Sequence, residues 1–145
     1  MRPRILRNAL LALAVTMGLW ALGSTRVEAV QDSAEIYKDV YNGWKWWHVY
    51  CYRCHGQDAV GGTLAPNLID PNEKVPLTDF VKIVRYGNPK EGMQAWDKLL
   101  DDKQITQIFT YVRARADKVL PPGRPDEVGP KGGPWIPPKG WTGQK

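Results

Sequence analysis

Cys51-Tyr52-Arg53-Cys54-His55 is the stretch of sequence on which the rest of the chain depends. It is a Cys-x-x-Cys-His run, the attachment signature of c-type haem. Each thiol can add to one vinyl group of the porphyrin, and the two intervening residues let a turn of helix place both sulfurs along one haem edge. The histidine follows directly, so its Nε2 atom can bond the iron. The motif predicts one covalent haem c, attached through Cys51 and Cys54, with His55 as an axial ligand.

Two other kinds of site use a Cys-x-x-Cys spacing. A thioredoxin-type redox pair would require a βαβ pattern around the motif, and none is visible. A zinc site would require four ligands, whereas the chain has two cysteines and a second histidine, His48. His48 precedes the motif by one helical turn, and the covalent tether with His55 would hold that helix on one side of the haem. His48 is therefore not expected to reach the open face.

Met93 is the candidate for the opposite axial position. The chain has three methionines; Met1 is the initiator and Met17 lies in the N-terminal apolar segment. Methionine usually fills gaps in a core, but Met93 follows Gly92 in a loop, which is a poor place for core packing and a good one for a ligand. We predict that Met93 binds the iron of a haem held by His55.

The length and charge of the chain favour one small exported domain. Its 145 residues have a net charge of +5, but the first 29 residues hold four arginines against one glutamate, a net of +3, which leaves +2 for the remainder. Two haem propionates would cancel about that much charge, so a nucleic-acid partner is not expected. Both cysteines are used by the motif, so a covalent apolar cofactor would supply part of a modest core.

Residues 1–29 have the pattern of a cleaved secretory signal peptide. Arginines at the start precede the apolar run 9–22, and Val27-Glu28-Ala29 offers small residues for a cut after Ala29. The alternative is an uncleaved anchor, but the run is shorter than the roughly 20 residues that a membrane span needs. We expect an exported protein with no permanent membrane anchor.

Helical periodicity recurs through residues 30–118, the predicted haem domain. The spacing predicts a first helix from Asp32 to about Cys54, a short helix capped by Thr78 and ending at Gly87, and a last helix capped by Asp101. Gly43 lowers the helix propensity of the first segment by about 1 kcal/mol relative to alanine, which a close crossing by another helix would explain. Four cations of the last helix are assigned to a solvated face: Lys103, Arg113, Arg115 and Lys118.

Three further residues are candidates for the haem surroundings. Pro66 lies eleven residues after His55, and its carbonyl could fix the ring through Nδ1, although it could equally be a plain turn proline. Arg85 and Trp96 could bond haem propionates, because both side chains carry N–H donors. Ordinary packing and solvent exposure are the alternatives for these two.

Residues 119–145 form a tail rich in proline and glycine, which excludes helix and discourages strand. Its apolar residues, Trp135, Ile136 and Trp141, could strap the tail to the body or to a partner. The alternative is a loose tail.

With these motifs placed, residues 32–118 resemble the class I c-type cytochromes. Gly43 and Trp47 precede the first cysteine by eight and four residues, like the glycine and the aromatic residue of that family's first helix. Ala65-Pro66-Asn67-Leu68 is similar to its proline loop. Gly92-Met93-Gln94-Ala95-Trp96 resembles the family's Gly-Met-Pro-Ala-aromatic ligand motif, with Gln94 in place of the usual proline.

The resemblance implies an all-α cytochrome c fold, in which the first and last helices cross at Gly43 around one covalently bound haem. It also implies a six-coordinate haem with His55 and Met93 as axial ligands. Such an iron has no vacant position, so the expected role is electron transfer and not catalysis.

Within this class, the aromatic-rich first helix and the Pro/Gly/Trp tail look most like periplasmic monohaem cytochromes of methylotrophic bacteria. Those proteins accept electrons from PQQ-dependent methanol or alcohol dehydrogenases. The resemblance implies such a donor, a further cytochrome or terminal oxidase as acceptor, and a periplasmic location. Two alternatives remain: a haem subunit of a larger membrane-associated oxidoreductase complex and, if Met93 is not a ligand, an open-site haem sensor or enzyme.

Overall fold

The computed structural model describes residues 32–70 and 74–143. The predicted signal peptide, residues 1–29, lies outside the described residues. The described residues from 35 onward form one compact unit, which contains the haem-attachment motif, the last helix and the tail.

The described residues are helical and contain no β-strand, apart from an isolated antiparallel bridge between Asn88 and Met93. The helices are α1 (residues 32–50), α2 (Tyr52–His55), α3 (Leu77–Tyr86) and α4 (Asp102–Ala116). Short 3₁₀ turns occupy Gln57–Ala59, Pro89–Glu91 and Pro130–Gly132. The prediction of an all-α chain is confirmed.

Local sequence signals explain where α3 and α4 begin and end. The Asp101 carboxylate accepts from the N–H of Gln104, and the Gln104 side chain accepts from the N–H of Asp101, so the predicted capping box is present. Helix α3 ends at Gly87, whose φ of 73° lies in the region that favours glycine. The prediction that Thr78 caps α3 is wrong, because the helix already begins after Pro76.

Helices α1 and α4 cross at Gly43. A Cβ atom at this position would overlap the backbone carbonyl of Gln107 and would lie 3.0 Å from Tyr111 Cβ. One turn later, the buried rings of Trp47 and Tyr111 pack with their centroids 5.9 Å apart. Glycine therefore lets the two backbones approach, and the predicted crossing of the first and last helices is confirmed.

The tail packs against the end of α4. Trp135 is 5% exposed, and its Nε1–H donates to the Val119 carbonyl at 2.8 Å. Trp141 donates its Nε1–H to Asp117 Oδ2 at 2.9 Å and contacts the Trp135 ring edge-on. Ile136, by contrast, is 66% exposed. This packing supports the interpretation of a tail strapped to the body through its two tryptophans.

The tail changes the surroundings of α4, which is buried all round from Gln107 to Ala116. Arg113 and Arg115, assigned from sequence to a solvated face, are only 6% and 7% exposed. Arg115 donates to the carbonyl of Leu120 at the start of the tail. Arg113 donates to the carbonyl of Val75, in the segment before α3. The assignment of these two arginines to a solvated face is wrong, because periodicity within α4 contains no information about the other segments that cover it.

None of the helices within residues 32–70 and 74–143 combines the length and apolar composition that a membrane crossing requires.

Candidate functional site

The Cys-x-x-Cys-His motif forms the turn that follows α1. Cys51 ends the first helix with its N–H bonded to the Trp47 carbonyl, and the N–H of His55 bonds back to the Cys51 carbonyl at 3.0 Å. Cys51 is half-buried and Cys54 is exposed. One turn of helix thus presents both thiols and the imidazole on one cavity wall.

The orientation of the His55 ring is set by the loop that follows it. Its Nδ1 atom lies 3.1 Å from the Pro66 carbonyl oxygen. A carbonyl only accepts, so Nδ1 carries the proton and the lone pair is on Nε2, the atom that would face a metal. The loop closes because Gly61, with φ of 80°, passes against the main chain of Pro66 and Asn67, and a Cβ there would lie 2.6 Å from Asn67 N. The contact predicted from the Pro66 spacing is present.

A cavity of about 960 Å³ lies beside the motif. This volume is at the upper end of the range of about 300–1,000 Å³ that is typical of cofactor and ligand pockets. Cys51, Cys54 and His55 line it. Apolar side chains from α3, α4 and the Met93 loop supply much of the remaining wall: Phe80, Val84, Trp96, Phe109 and Val112.

Met93 lines the same cavity as His55. Its backbone exchanges both hydrogen bonds with Asn88, at 2.9 and 3.0 Å, and this bridge holds the loop. Gly92 precedes it in the left-handed conformation with φ of 80°, and a Cβ on Gly87 would lie 2.5 Å from the Met93 carbonyl oxygen. The two hydrogen bonds to Asn88 and the turns at Gly87 and Gly92 therefore hold the Met93 backbone, and with it the half-buried thioether, at the cavity wall.

The donor atoms on the wall fit a covalent haem c. Two thiols are available for thioether bonds, an imidazole has its Nε2 free, and a thioether could supply a second axial ligand. The apolar walls suit a porphyrin ring. Cys51, Cys54, His55 and Met93 are the residues that could hold the group.

The remaining predicted residues are divided between the cavity and the surface. Trp96 lines the cavity and packs edge-on against Tyr50 at 5.6 Å. Arg85 is not among the cavity-lining residues; its guanidinium pairs with Asp102 at 2.6 Å. This ion pair holds the Arg85 side chain against the start of α4, which favours the alternative of solvent exposure over a contact with a haem propionate.

His48 does not line the cavity either. Its Nδ1 donates to the Trp44 carbonyl at 2.8 Å, and its ring lies 4.4 Å from the Trp44 ring. The side chain is thus held along α1, one turn before the motif.

The electrostatics of Cys51 disfavour a dithiol redox site. Burial, and secondarily the nearby Cys54, raise the pKa of the Cys51 thiol to about 12. Redox-active thiols of Cys-x-x-Cys proteins have a lowered pKa, because the thiolate is the reacting form. Within the part of the chain that the structure describes, no group of three or more His, Cys, Asp or Glu residues could hold a metal ion.

Asp58 is a structural residue that sequence reasoning missed. It follows the motif with a left-handed φ of 59°, and its carboxylate accepts the N–H of Gly123 at 3.0 Å and the Tyr111 hydroxyl at 3.5 Å. Burial, and then the Asp58 charge, raise the pKa of Tyr111. The Nε atom of Arg115 lies 3.7 Å from the Oδ1 atom of Asp58. Asp58 connects the motif loop, α4 and the tail, and no local sequence signal marks a contact with residues so far along the chain.

Comparison with known proteins agrees with this site. The family model described as "Cytochrome C oxidase, cbb3-type, subunit III" matches residues 38–112, more than half of the chain. The fold is similar to the crystal structure of c-type cytochrome XoxG from Methylobacterium extorquens AM1, with a TM-score of 0.53 and 28% sequence identity. That match covers 65% of this chain and 60% of XoxG, so the chain spans less than two thirds of that protein's length.

The comparison with curated proteins found no match. The family match, together with the structural one, identifies the residues around the Cys-x-x-Cys-His motif as a c-type cytochrome domain. The chain therefore belongs to the cytochrome c family, whose members carry covalently bound haem c, and is a class I c-type cytochrome.

Proposed function

We propose that the chain is a periplasmic one-electron carrier with a single haem c, attached through Cys51 and Cys54 and bound axially by His55 and Met93. The observation that carries the proposal is that the Met93 thioether and the oriented His55 imidazole line the same cavity as both thiols. These four side chains come from two segments, and each segment is fixed by its own backbone hydrogen bonds.

The protein's contribution is to hold the two ligands rigidly. The haem supplies the one-electron chemistry of its iron, and axial ligand identity tunes haem potentials over about 0.8 V. Pro66 fixes the tautomer of His55, and the Asn88 bridge fixes Met93, so neither ligand needs to move when the charge changes. With the His55 imidazole and the Met93 thioether as its two protein ligands, the iron would have a raised potential and no vacant position for a substrate.

The proposed donor is a PQQ-dependent methanol or alcohol dehydrogenase, and the proposed acceptor is a further cytochrome or a terminal oxidase. The donor is inferred from the aromatic-rich α1 and the Pro/Gly/Trp tail, which resemble those of cytochromes with such donors. The N-terminal pattern of residues 1–29 supports export to the periplasm, where these dehydrogenases also work.

The surface near Met93 suggests a small and weak docking patch. Its exposed charges have mixed signs: Lys90, Glu91, Asp97 and Lys98. Transient electron-transfer contacts bury less than about 1,200 Å² in total, and mixed charges give little net steering. We therefore expect electron transfer with only a modest dependence on salt.

The proposal is tested by mixing the oxidised cytochrome with a reduced PQQ methanol dehydrogenase in a stopped-flow spectrometer. Rapid reduction of the haem that saturates with dehydrogenase concentration is expected, and the PQQ-free form of the same dehydrogenase is the control. A steep fall in rate with salt would contradict the weak mixed patch. No reduction by the PQQ-loaded form would exclude this donor.

A second candidate function is that of a haem subunit in a membrane-associated oxidoreductase complex. It is favoured by the description of the matching family model as subunit III of a cbb3-type oxidase. This candidate predicts co-purification with other subunits through high salt. A free carrier predicts that the native protein elutes alone from a periplasmic extract.

A further inference from the structure

The wall of the cavity carries positive charge in addition to its apolar lining. Three basic residues line it: Arg53, Lys74 and Arg113. Arg53 stands between the two cysteines of the motif and is exposed. Lys74 and Arg113 come from other parts of the chain, the segment before α3 and the helix α4. The acidic residue that lines the same cavity is Glu91, on the Met93 loop.

Arg113 is a buried cation on this wall, only 6% exposed. Its Nη2 donates to the Val75 carbonyl at 3.1 Å, and its guanidinium lies over the Phe109 ring at 5.1 Å. Among the described residues, no carboxylate lies within ion-pair distance of it. A buried arginine is costly unless an anion and further acceptors satisfy its donors. Arg113 is thus a cation at the edge of the cavity, and its guanidinium has N–H donors beyond the one bonded to the Val75 carbonyl.

Lys74 brings a second positive charge to the same side. Its Nζ lies 2.6 Å from Asp117 Oδ1, and its side chain remains 40% exposed. Trp141 donates to the other oxygen of that carboxylate. An ammonium group has three donors, so Lys74 can hold Asp117 and still bind an acceptor inside the cavity.

A haem in this cavity would bring two carboxylates. On a porphyrin of this kind the propionates lie on the opposite edge from the vinyl groups, which here would bond Cys51 and Cys54. Arg53 belongs to the thioether edge, so Lys74 and Arg113 are the basic lining residues left for the other edge. We propose that Arg113 and Lys74 bind the haem carboxylates, with Arg113 in the role that the sequence suggested for Arg85. This inference rests on the proposed haem site.

The charges around these two residues agree with that role. The titratable groups that share the cavity wall with Arg113 and Lys74 are Tyr50, Cys51, Arg53, Cys54, His55 and Glu91, with Asp117 just behind Lys74. Glu91 forms no described ion pair with either cation. The cations therefore keep the haem carboxylates ionised, since a nearby opposite charge favours the charged form.

The test is the midpoint potential of the holoprotein measured by spectroelectrochemistry between about pH 5 and pH 9. In the wild type, ionised carboxylates give a nearly flat profile. In Arg113→Gln, a haem carboxyl gains protons within this range and binds them more tightly when the iron is reduced. The midpoint potential of the variant should therefore fall as pH rises. At the alkaline end it should lie below the wild-type potential, because the variant lacks the positive charge of Arg113, which favours the reduced haem.

Two further variants make the result specific. Arg85→Gln removes an arginine of the surface pair with Asp102 and should keep the wild-type profile. Lys74→Gln, at a half-exposed position, should fold normally and show a smaller change in the same direction as Arg113→Gln. If Arg113→Gln does not mature with haem, Lys74→Gln decides the question.

The inference is overturned if the haem-loaded Lys74→Gln and Arg113→Gln proteins keep the flat profile and potential of the wild type, or if Arg85→Gln changes them as much. In those cases the proposed electron carrier stands, since the haem is still attached and reducible. If the wild-type protein carries no haem bonded to Cys51 and Cys54, the proposed function itself is refuted.

Discussion

Gly43 lies so close to Gln107 that a side chain at position 43 would overlap the Gln107 carbonyl oxygen. Both residues sit at the centre of the crossing between α1 and α4. Cys51, at the end of α1, and Val112, on α4, both line the cavity.

The first prediction follows from this contact. Gly43→Ala should destabilise the fold by about 1–3 kcal/mol or more, because overpacking forces two helix backbones apart. Unfolding in guanidinium measures the loss. Gly133→Ala is the matched control, since a Cβ there would meet the Pro130 carbonyl oxygen at an ordinary 3.4 Å. Equal stability of the two variants would show that α1 and α4 do not cross at Gly43.

The second prediction concerns the axial ligand. Met93→Ala should keep the covalent haem, lower the midpoint potential and let the reduced iron bind carbon monoxide, because removal of the thioether opens the sixth position. His48→Ala is the control for loss of a possible ligand, and it should change neither property because His48 is bonded to the Trp44 carbonyl. A wild-type spectrum in Met93→Ala would refute the assignment and favour an open-site sensor or enzyme.

The third prediction compares two neighbours in the tail. Trp135→Ala should cost about 3–5 kcal/mol, the usual loss for a buried tryptophan or phenylalanine, and Ile136→Ala should change stability by less than about 0.5 kcal/mol. Trp135 is 5% exposed and Ile136 is 66% exposed. Thermal unfolding followed by circular dichroism gives both values. Similar small effects would mean that the tail is loose in solution.

The fourth prediction is an acid dependence of the tail. Burial alone would raise the pKa of Asp117, but the hydrogen bonds from Lys74 and Trp141 hold the pKa below its ordinary value. A carboxyl with a lowered folded-state pKa stabilises the fold above its ordinary pKa of about 3.9, and this contribution is lost as pH falls through the folded value. Stability should therefore drop below about pH 4 in the wild type.

Asp117→Asn should remove the part of this drop that comes from Asp117. The measurement is the urea midpoint at several pH values between about 2.5 and 7. Asp102→Asn at the other end of α4 is the control, because the Asp102 carboxylate is 66% exposed in its pair with Arg85 and contributes little. Identical acid profiles for Asp117→Asn and the wild type would exclude Asp117 as the origin.

The parts of the fold that were predictable from sequence depend on local chemistry. The capping box of Asp101 and Gln104 acts within four residues, and a glycine inside a helix indicates a close neighbour whatever that neighbour is. The Pro66 carbonyl could be placed near His55 because only eleven residues separate them. In each case the interaction is between segments that the sequence itself brings together.

The parts that were not predictable depend on tertiary contacts. Arg113 and Arg115 have the spacing of an exposed face, but Arg113 is buried beside Val75 and Phe109, and Arg115 is buried beside Leu120 at the start of the tail. Arg85 was expected at the cavity, but Asp102 of another helix pairs with it. Asp58 reaches Gly123, 65 residues away. No periodicity within one helix can predict a partner on another segment.

The visible spectrum of the protein from a haem-maturing host, oxidised and reduced, tests the central claim most directly. Ligation by His55 and Met93 predicts sharp low-spin bands in the reduced protein and a weak long-wavelength band from methionine bound to ferric iron in the oxidised protein. Neither should change on addition of carbon monoxide. A high-spin spectrum, or one that carbon monoxide alters, would contradict the account, because Met93 would then be a packing residue beside an open iron.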